Sequence, residues 1–250
     1  MAEAELKRLR ELANRAAHTG IPRFSRFLEP PMENDARRAA AECGTGCLFY
    51  GGFDGAERRM AAFFDAEPPA PERFPMRAVR IEWNAKFACP GHRDLLGAVM
   101  GLGVERDALG DIAMAANRER PCAVLFVTED LAEYVAANLT SAGRAAVKAR
   151  IVSEIPEIAS PEGDTLRVTV QNERLDAVLA AGCHLSRAEA QRLIAGGMVK
   201  LNHVPCLRAD ARLVEGDLIS ARGVGRLRVE ALPGESRRGR HIMVLFRYKR

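Results

Sequence analysis

The spacing of hydrophobic positions changes several times along the chain. Leu6, Leu9, Leu12, Ala13 and Ala16 recur at intervals of three and four with charges between them, which predicts a helix over residues 3–17. Gly20 and Pro22 end that pattern. A second helix is predicted from Asp35 to Cys43. It is followed by a short strand at "CLFYGG" and a helical or turn-like stretch at "GAERRMAAFFDAE". Four prolines in "EPPAPERFP" mark a linker.

The next segment alternates element types. "MRAVRIEWN" reads as a strand with Val79 and Ile81 on one face. "GHRDLLGAVMGLG" reads as a helix striped by Leu95, Leu96, Val99 and Met100. "GDIAMA" and "CAVLFVT" are strands, and "EDLAEYVAANLTSAG" is a helix with Leu131, Tyr134, Val135 and Leu139 on one side. "AAVKARIV" closes the segment as a strand. The order β-α-β-β-α-β is the ferredoxin-like arrangement, which also underlies RNA-recognition motifs. The aromatic-rich strand pattern that stacks bases in those motifs is absent from "CAVLFVT". Likeness of fold alone does not give RNA binding.

"SEIPEIASPEGD" is a second linker candidate. After it, "NERLDAVLAAG" predicts a helix with Asn172 as its cap and Leu175, Val178 and Leu179 facing inward. "LSRAEAQRLIAGG" predicts another helix. "MVKLN" predicts a strand with Val199 and Leu201 on one face and Lys200 and Asn202 on the other. "LVEGDLIS", "GRLRVEAL" and "HIMVLFRY" supply further strands. The expected fold class is α+β in three modules. These are a mostly helical N-terminal domain over 1–73 (a small α/β region), a ferredoxin-like, RRM-like middle domain over 74–165, and a compact RNA-binding module over 166–250.

Composition narrows the function classes. Hydrophobic residues make up 48% and charged residues 28% of 250, an ordinary globular balance. No apolar run is long enough for a transmembrane helix, so no membrane partner is expected. The N-terminus is charged from Glu3 onward and has no apolar signal region. Six scattered cysteines fit a reduced, cytoplasmic chain, with Cys122 and Cys206 acting as small buried hydrophobes. Charge is uneven: residues 172–250 hold 15 Lys and Arg against 8 Asp and Glu, a net of +7 within a chain of net +4. A basic terminal module is the electrostatic footprint expected for nucleic-acid contact.

That charge has a local geometry around "HLSRAEAQRLIAGGMVKLN". Ser186 caps the predicted helix, and Glu189 three residues later completes a capping box. Steps of 100° per residue gather Ala190, Leu193 and Ile194 on the buried side and leave Arg187, Gln191 and Arg192 on the remaining arc. Gly196 and Gly197 stop the helix. Lys200 and Asn202 then point outward, and Arg174 on the preceding helix is positioned to join them. Guanidinium forks of this kind match phosphate oxygens, although most charged helix faces only meet water.

The runs Arg174–Asp176, Ser186–Ile194, Gly197–Asn202 and Val214–Ile219 resemble the S-four (S4) domain, the small RNA-binding domain named after ribosomal small-subunit protein four. By that resemblance Arg174, Ser186, Arg187, Gln191, Arg192, Lys200, Asn202, His203 and Arg208 line an RNA face. His203 stands where the family usually has glycine, and Asn202 is able to adopt the left-handed conformation itself. "FLEPPM", "FYGGFDGAERRMAAFF" and "HRDLLGAVMGLGVERDALGDI" resemble YlmH-type proteins of bacteria. That family implies ribosome binding, chiefly to the large subunit, and a part in rescuing stalled large subunits that still carry peptidyl-tRNA. Ribosomal RNA and tRNA are then the expected partners of a monomer that needs no cofactor or metal.

Enzymatic readings find little support. No pseudouridine-synthase aspartate block exists outside the "RLDAVL" of the S-four helix. "GLGVER" lacks the third glycine of a nucleotide loop and follows a helix. "HRDLLGAV" would place Val99 where a kinase needs its magnesium-binding asparagine; His92, Arg93 and Asp94 are read instead as a helix start with surface contacts. Cys43, Cys47, Cys89 and His92 lie on two different predicted domains, a poor zinc set, and a Cys47–His92 pair lacks a third group. "ESRRGRHIMVLFRYKR" adds Arg237, Arg238, Arg240, Arg247, Lys249 and Arg250 around a final apolar strand, for phosphate contact or for a basic turn alone. An RNA-binding protein without enzymatic activity is the favoured reading. An RNA-modifying enzyme with an unrecognised centre, or a cell-division-linked adaptor, are the alternatives.

Overall fold

A computed structural model describes residues 2–117, 119, 121–235 and 239–249. The chain divides into two compact units, Met1–Ser160 and Pro161–Arg250. Arg237, Arg238 and Arg250 of the basic tail lie outside the described residues.

The first unit opens with helix α1 (Ala2–Thr19), strand β1 (Arg23–Leu28), helix α2 (Met32–Cys43) and strands β2 (Gly46–Tyr50) and β3 (Arg59–Phe64). The three strands form an antiparallel sheet in the order β1-β3-β2. The helical or turn-like reading of "GAERRMAAFFDAE" is thereby corrected, because its centre is β3. Alternate β3 residues serve two cores. Ala61 and Phe63 pack under α1 and α2 with Leu9, Ala13 and Ala36, while Met60 and Ala62 turn the other way with Phe27. A strand buried on both faces reads as a continuous apolar run, which is why alternation gave no warning. Strand β1 was also missed, since "PRFSRFL" mixes charge into both faces.

The remainder of this unit is β4 (Met76–Trp83), α3 (His92–Gly101), β5 (Leu109–Met114), β6 (Cys122–Thr128), α4 (Glu129–Asn138), the short β7 (Ser141–Ala142) and β8 (Ala145–Val152). The sheet order β5-β6-β4-β8-β7, antiparallel throughout, is the ferredoxin-like one plus a two-residue edge strand. Leu95, Val99, Ala132 and Val135 of the helices bury one sheet face against Val79, Ile81, Leu125 and Val127. The centre of the opposite face, Ala78, Val124 and Phe126, is covered by Phe27, Met60 and Ala62 of the N-terminal sheet. Phe53 stacks on Phe126 with ring centroids 5.4 Å apart. Arg58, buried, joins the two sheets by donating to the carbonyls of Leu109 at 2.8 Å and Arg106 at 3.0 Å.

The second unit contains β9 (Gly163–Val170), α5 (Leu175–Cys183), α6 (Arg187–Ala195), β10 (Val199–Leu201), β11 (Val204–Pro205), β12 (Leu218–Ala221), β13 (Gly225–Glu235) and β14 (His241–Tyr248). Its antiparallel sheet runs β11-β10-β12-β13-β14-β9. Leu175, Val178, Leu179, Ala190 and Ile194 of the two helices pack on Val199, Ile219, Leu227, Val229, Met243 and Leu245, all essentially inaccessible to solvent. The predicted seam of α6 is present, with Leu193 only half-buried. Asn172 does not cap α5. The helix starts after Arg174, because the Leu175 and Asp176 N–H groups donate to the carbonyls of Ala211 and Ala209, at 2.9 and 3.0 Å.

Candidate nucleic-acid interface

The site is organised by Asp176 at the second helical position of α5. Its side chain is fully buried although it lies at the edge of the cationic face. Arg174 reaches it from the N-cap position in bidentate fashion, with Nε to Oδ1 at 3.1 Å and Nη2 to Oδ2 at 3.2 Å. Arg187, from the first turn of α6, makes a second bidentate approach at 3.3 Å through each nitrogen. Gln191, one turn later, donates Nε2 to Oδ2 at 2.8 Å. Burial alone would push the carboxyl up. Hydrogen bonds from Arg174, Gln191 and Arg187 outweigh it and hold the group at about 2. An ionised acid thus stands beneath two guanidinium groups and fixes their orientation. Arg187 remains 47% exposed, so its outer edge still faces solvent. Donors held in place before binding lose less side-chain freedom when a phosphate arrives.

The predicted residues separate into groups. Arg174, Arg187 and Gln191 converge on Asp176. Ser186 does what the capping box requires: its N–H donates to Glu189 Oε2 at 2.8 Å, and its hydroxyl accepts from the Glu189 N–H at 3.2 Å. It sets the start of the helix that carries Arg187. Arg208 lies in the loop whose carbonyls receive the first N–H groups of α5, and it pairs with Asp210 at 3.5 Å while staying 78% exposed. Arg192 and Lys200 are exposed, with no ion pair within 4 Å among the described residues.

Asn202 and His203 form the two-residue turn between β10 and β11, both left-handed, with φ of 49° and 69°. Two such residues are what a tight hairpin with the sheet's twist demands. The Asn202 amide is consumed inside the protein. It donates Nδ2 to Asp217 Oδ1 at 2.8 Å, and its Oδ1 accepts from the Leu218 N–H at 2.9 Å. Asp217, itself buried, also accepts from the Val214 N–H at 2.8 Å. Asn202 therefore pins the hairpin, and Lys200 on β10 is the part of that group left to face a ligand.

Sequence reasoning passed over Asp176 and Asp217 as site-forming residues. The available signal was an acid placed directly on a buried helical stripe, between Leu175 and Val178, with arginines on either helix to receive it.

The remaining chemistry is elsewhere resolved into structure. Asp94 Oδ2 accepts from the Gly91 N–H at 2.9 Å, so "GHRD" is a helix start. Burial pushes the Cys47 thiol up to about 11, so neutral pH favours its protonated form. Among the described residues no group of three or more His, Cys, Asp or Glu is arranged to hold a metal ion. No helix among them is long and apolar enough to cross a membrane.

Residues 69–154 match the family described as "Putative RNA-binding domain in YlmH", and residues 173–219 match the S4 domain. The chain is 33% identical over 226 residues to "Ribosome-associated protein quality control protein P2" of Bacillus subtilis (strain 168), a match covering 89% of this chain and 86% of that protein. A solved structure of "Cell division protein ylmH from Streptococcus pneumoniae" is 22% identical, with a TM-score of 0.48, over 60% of this chain and 90% of that one.

Proposed function

Given that the chain belongs to the YlmH family of RNA-binding proteins with a C-terminal S4 domain, we propose that it docks on ribosomal RNA or tRNA through the face centred on Asp176. The large ribosomal subunit is the proposed platform, and quality control of stalled nascent chains the process. The name of the Bacillus relative supports the ribosome and the quality-control process in this reading. The single observation that carries it is the cluster in which a buried carboxylate aligns Arg174, Arg187 and Gln191. Two fixed guanidinium forks suit phosphate oxygens and 2′-hydroxyls, and they recognise RNA by shape more than by sequence. The function is binding without catalysis, by a cytoplasmic monomer, with Arg192, Lys200 and Arg208 adding diffuse attraction around the forks.

Co-sedimentation with separated ribosomal subunits tests it. The protein is expected to travel with the large subunit at low salt and to dissociate progressively as salt rises, because each phosphate contact releases counterions. Arg187→Glu should weaken that association about tenfold or more, and it should also lower thermal stability, because it sets a second carboxylate against the buried Asp176. Sedimentation free of all subunits and of tRNA at low salt would remove the RNA reading. A modified nucleoside appearing when purified protein is incubated with bulk RNA, detected by mass spectrometry, would replace binding with catalysis.

A further inference from the structure

We propose that the outer face of the β12–β13–β14–β9 sheet is a second RNA surface, one that stacks the bases of a single strand. This inference rests on the RNA-binding reading above but uses none of its residues. Helices α5 and α6 cover one face of the sheet, against Leu227, Val229, Met243 and Leu245. Strand alternation then turns their neighbours to the other face. The register sets Arg228 beside Phe246, Phe246 beside Thr165, Val244 beside Arg167, and Ser220 beside Arg226.

The chemistry of that face is specific. Phe246 and Tyr248 meet edge to face with centroids 5.0 Å apart. The Arg226 guanidinium lies 5.2 Å from the Tyr248 ring centroid, and that of Arg228 lies 5.6 Å from the Phe246 centroid. Gly163 leaves room for the arrangement: a Cβ there would stand 2.4 Å from Phe246 Cζ, so the ring spreads across the neighbouring strand. Phe246 and Tyr248 are two residues apart on β14 and so lie on the same face of the sheet. Beside the rings stand the exposed Arg228 and Thr165; the exposed Arg167 follows next to Val244, and Thr169 farther along next to Ile242. Glu230 is the acid on this face among the described residues, and it pairs with Arg228 at 3.4 Å. Arg167 has no ion pair within 4 Å among those residues.

Rings, guanidinium groups and hydroxyls with little acid are the composition of a single-strand platform, where bases stack and arginines follow the backbone. An apolar protein partner would bury the guanidinium groups without acceptors; phosphates supply those acceptors. Helical RNA offers no base faces to such a platform. The Asp176 cluster and this sheet face thus present two kinds of RNA site on opposite sides of one unit.

The test measures binding of the full chain to two labelled probes by fluorescence anisotropy: a twelve-nucleotide oligouridine (about the footprint of an OB fold) and a blunt RNA duplex. The Phe246→Leu/Tyr248→Leu variant, checked for folding by circular dichroism, should lose about tenfold in oligouridine affinity while duplex affinity stays within about twofold. Arg167→Glu/Arg228→Glu should do the same and lower the salt dependence for oligouridine. Arg187→Glu should show the reverse preference. Photo-cross-linking of oligouridine to the unmutated chain should label the peptide over 241–249, which decides the matter even where the leucine variant unfolds. Duplex binding without oligouridine binding, or oligouridine binding lost only in Arg187→Glu, overturns this inference and leaves the docking reading intact. Binding of neither probe overturns both.

Discussion

The middle-domain sheet and the C-terminal sheet each carry two helices on one face and differ in what meets the other. In the middle domain, Ala78, Val124 and Phe126 occupy the face that RNA-recognition motifs use for stacking, and the N-terminal sheet closes over them. Phe126 is 1% exposed. In the C-terminal sheet the corresponding outer positions hold Phe246, Tyr248, Arg226 and Arg228, which keep access to solvent. The same architecture thus gives a core in one case and a surface in the other. The choice is written in the side chains. Ala and Val leave a flat bed for a second sheet, whereas arginine on the outer face resists burial because its charge would need a partner. A ferredoxin-like topology in this chain therefore does not locate the RNA platform. The surfaces left to residues 69–154 for an RNA contact are loops, helices and sheet edges.

The largest expected effect tests this contrast directly. Phe126→Ala should destabilise the first unit by about 3–5 kcal/mol, the range for deleting a buried ring. The chain's single tryptophan, Trp83, lies on β4 and reports that loss in a denaturant titration. Tyr248→Ala should lower the stability of residues 161–250 by about 1 kcal/mol, read by hydrogen exchange, and act mainly on RNA affinity. Equal losses in the two variants would mean that both faces are cores.

Next in size is the buried acid that separates the helical face from the sheet face. Asp176→Ala removes the shared acceptor of Arg174, Arg187 and Gln191, and it should cost about 3 kcal/mol together with most duplex affinity. Asp176→Asn keeps the shape and should cost less. Acid should mimic the change. The carboxyl ionises at about 2 in the fold against an ordinary 3.8, so folding favours its charged form. That stabilisation is complete above 3.8 and is lost as pH falls through 2, on the order of 2 kcal/mol. Hydrogen exchange over 161–250 between pH 5 and pH 2 should show the loss, and Asp176→Asn should abolish this component. An unchanged acid profile in the variant would mean that Asp176 does not hold the forks.

Much of the fold was legible because most elements bury one face. The period of α6, its Ser186–Glu189 box and the β-α-β-β-α-β order follow from local pattern. Strand β3 was illegible for the opposite reason: both of its faces are buried, and Met-Ala-Ala-Phe-Phe carries no alternation. The helix cap at Asn172 failed because a distant loop, through the Ala209 and Ala211 carbonyls, satisfies the first N–H groups of α5. Such pairing has no local trace. In the candidate site, the cationic residues could be named from helical arcs, but their common anchor could not. Asp176 draws Arg174 and Arg187 together only after α5 and α6 have packed, and the same packing is what removes the acid from water. Asn202 was expected on the outward strand face beside Lys200; it lies instead in the left-handed turn after β10, and its amide turns back to Asp217 and Leu218.

The smallest test concerns the edge of the C-terminal sheet as distinct from its face. His203 holds a φ of 69° in a turn where glycine is strain-free. His203→Gly should relieve about 1 kcal/mol of that strain, offset in part by the added freedom of glycine in the unfolded chain. Loss of the interaction that the His203 side chain makes counts against this gain, so the net change expected is below about 1 kcal/mol, read as exchange in the β10–β11 peptides. The turn lies at the far end of the strand order from β14 and β9, so oligouridine affinity should not change. Duplex affinity should change little as well, because the Asn202 bonds to Asp217 and Leu218 remain to hold Lys200 in place. A loss of oligouridine binding in this variant would move the single-strand contact from the aromatic face to the hairpin edge, and would undo the distinction between the two sheets.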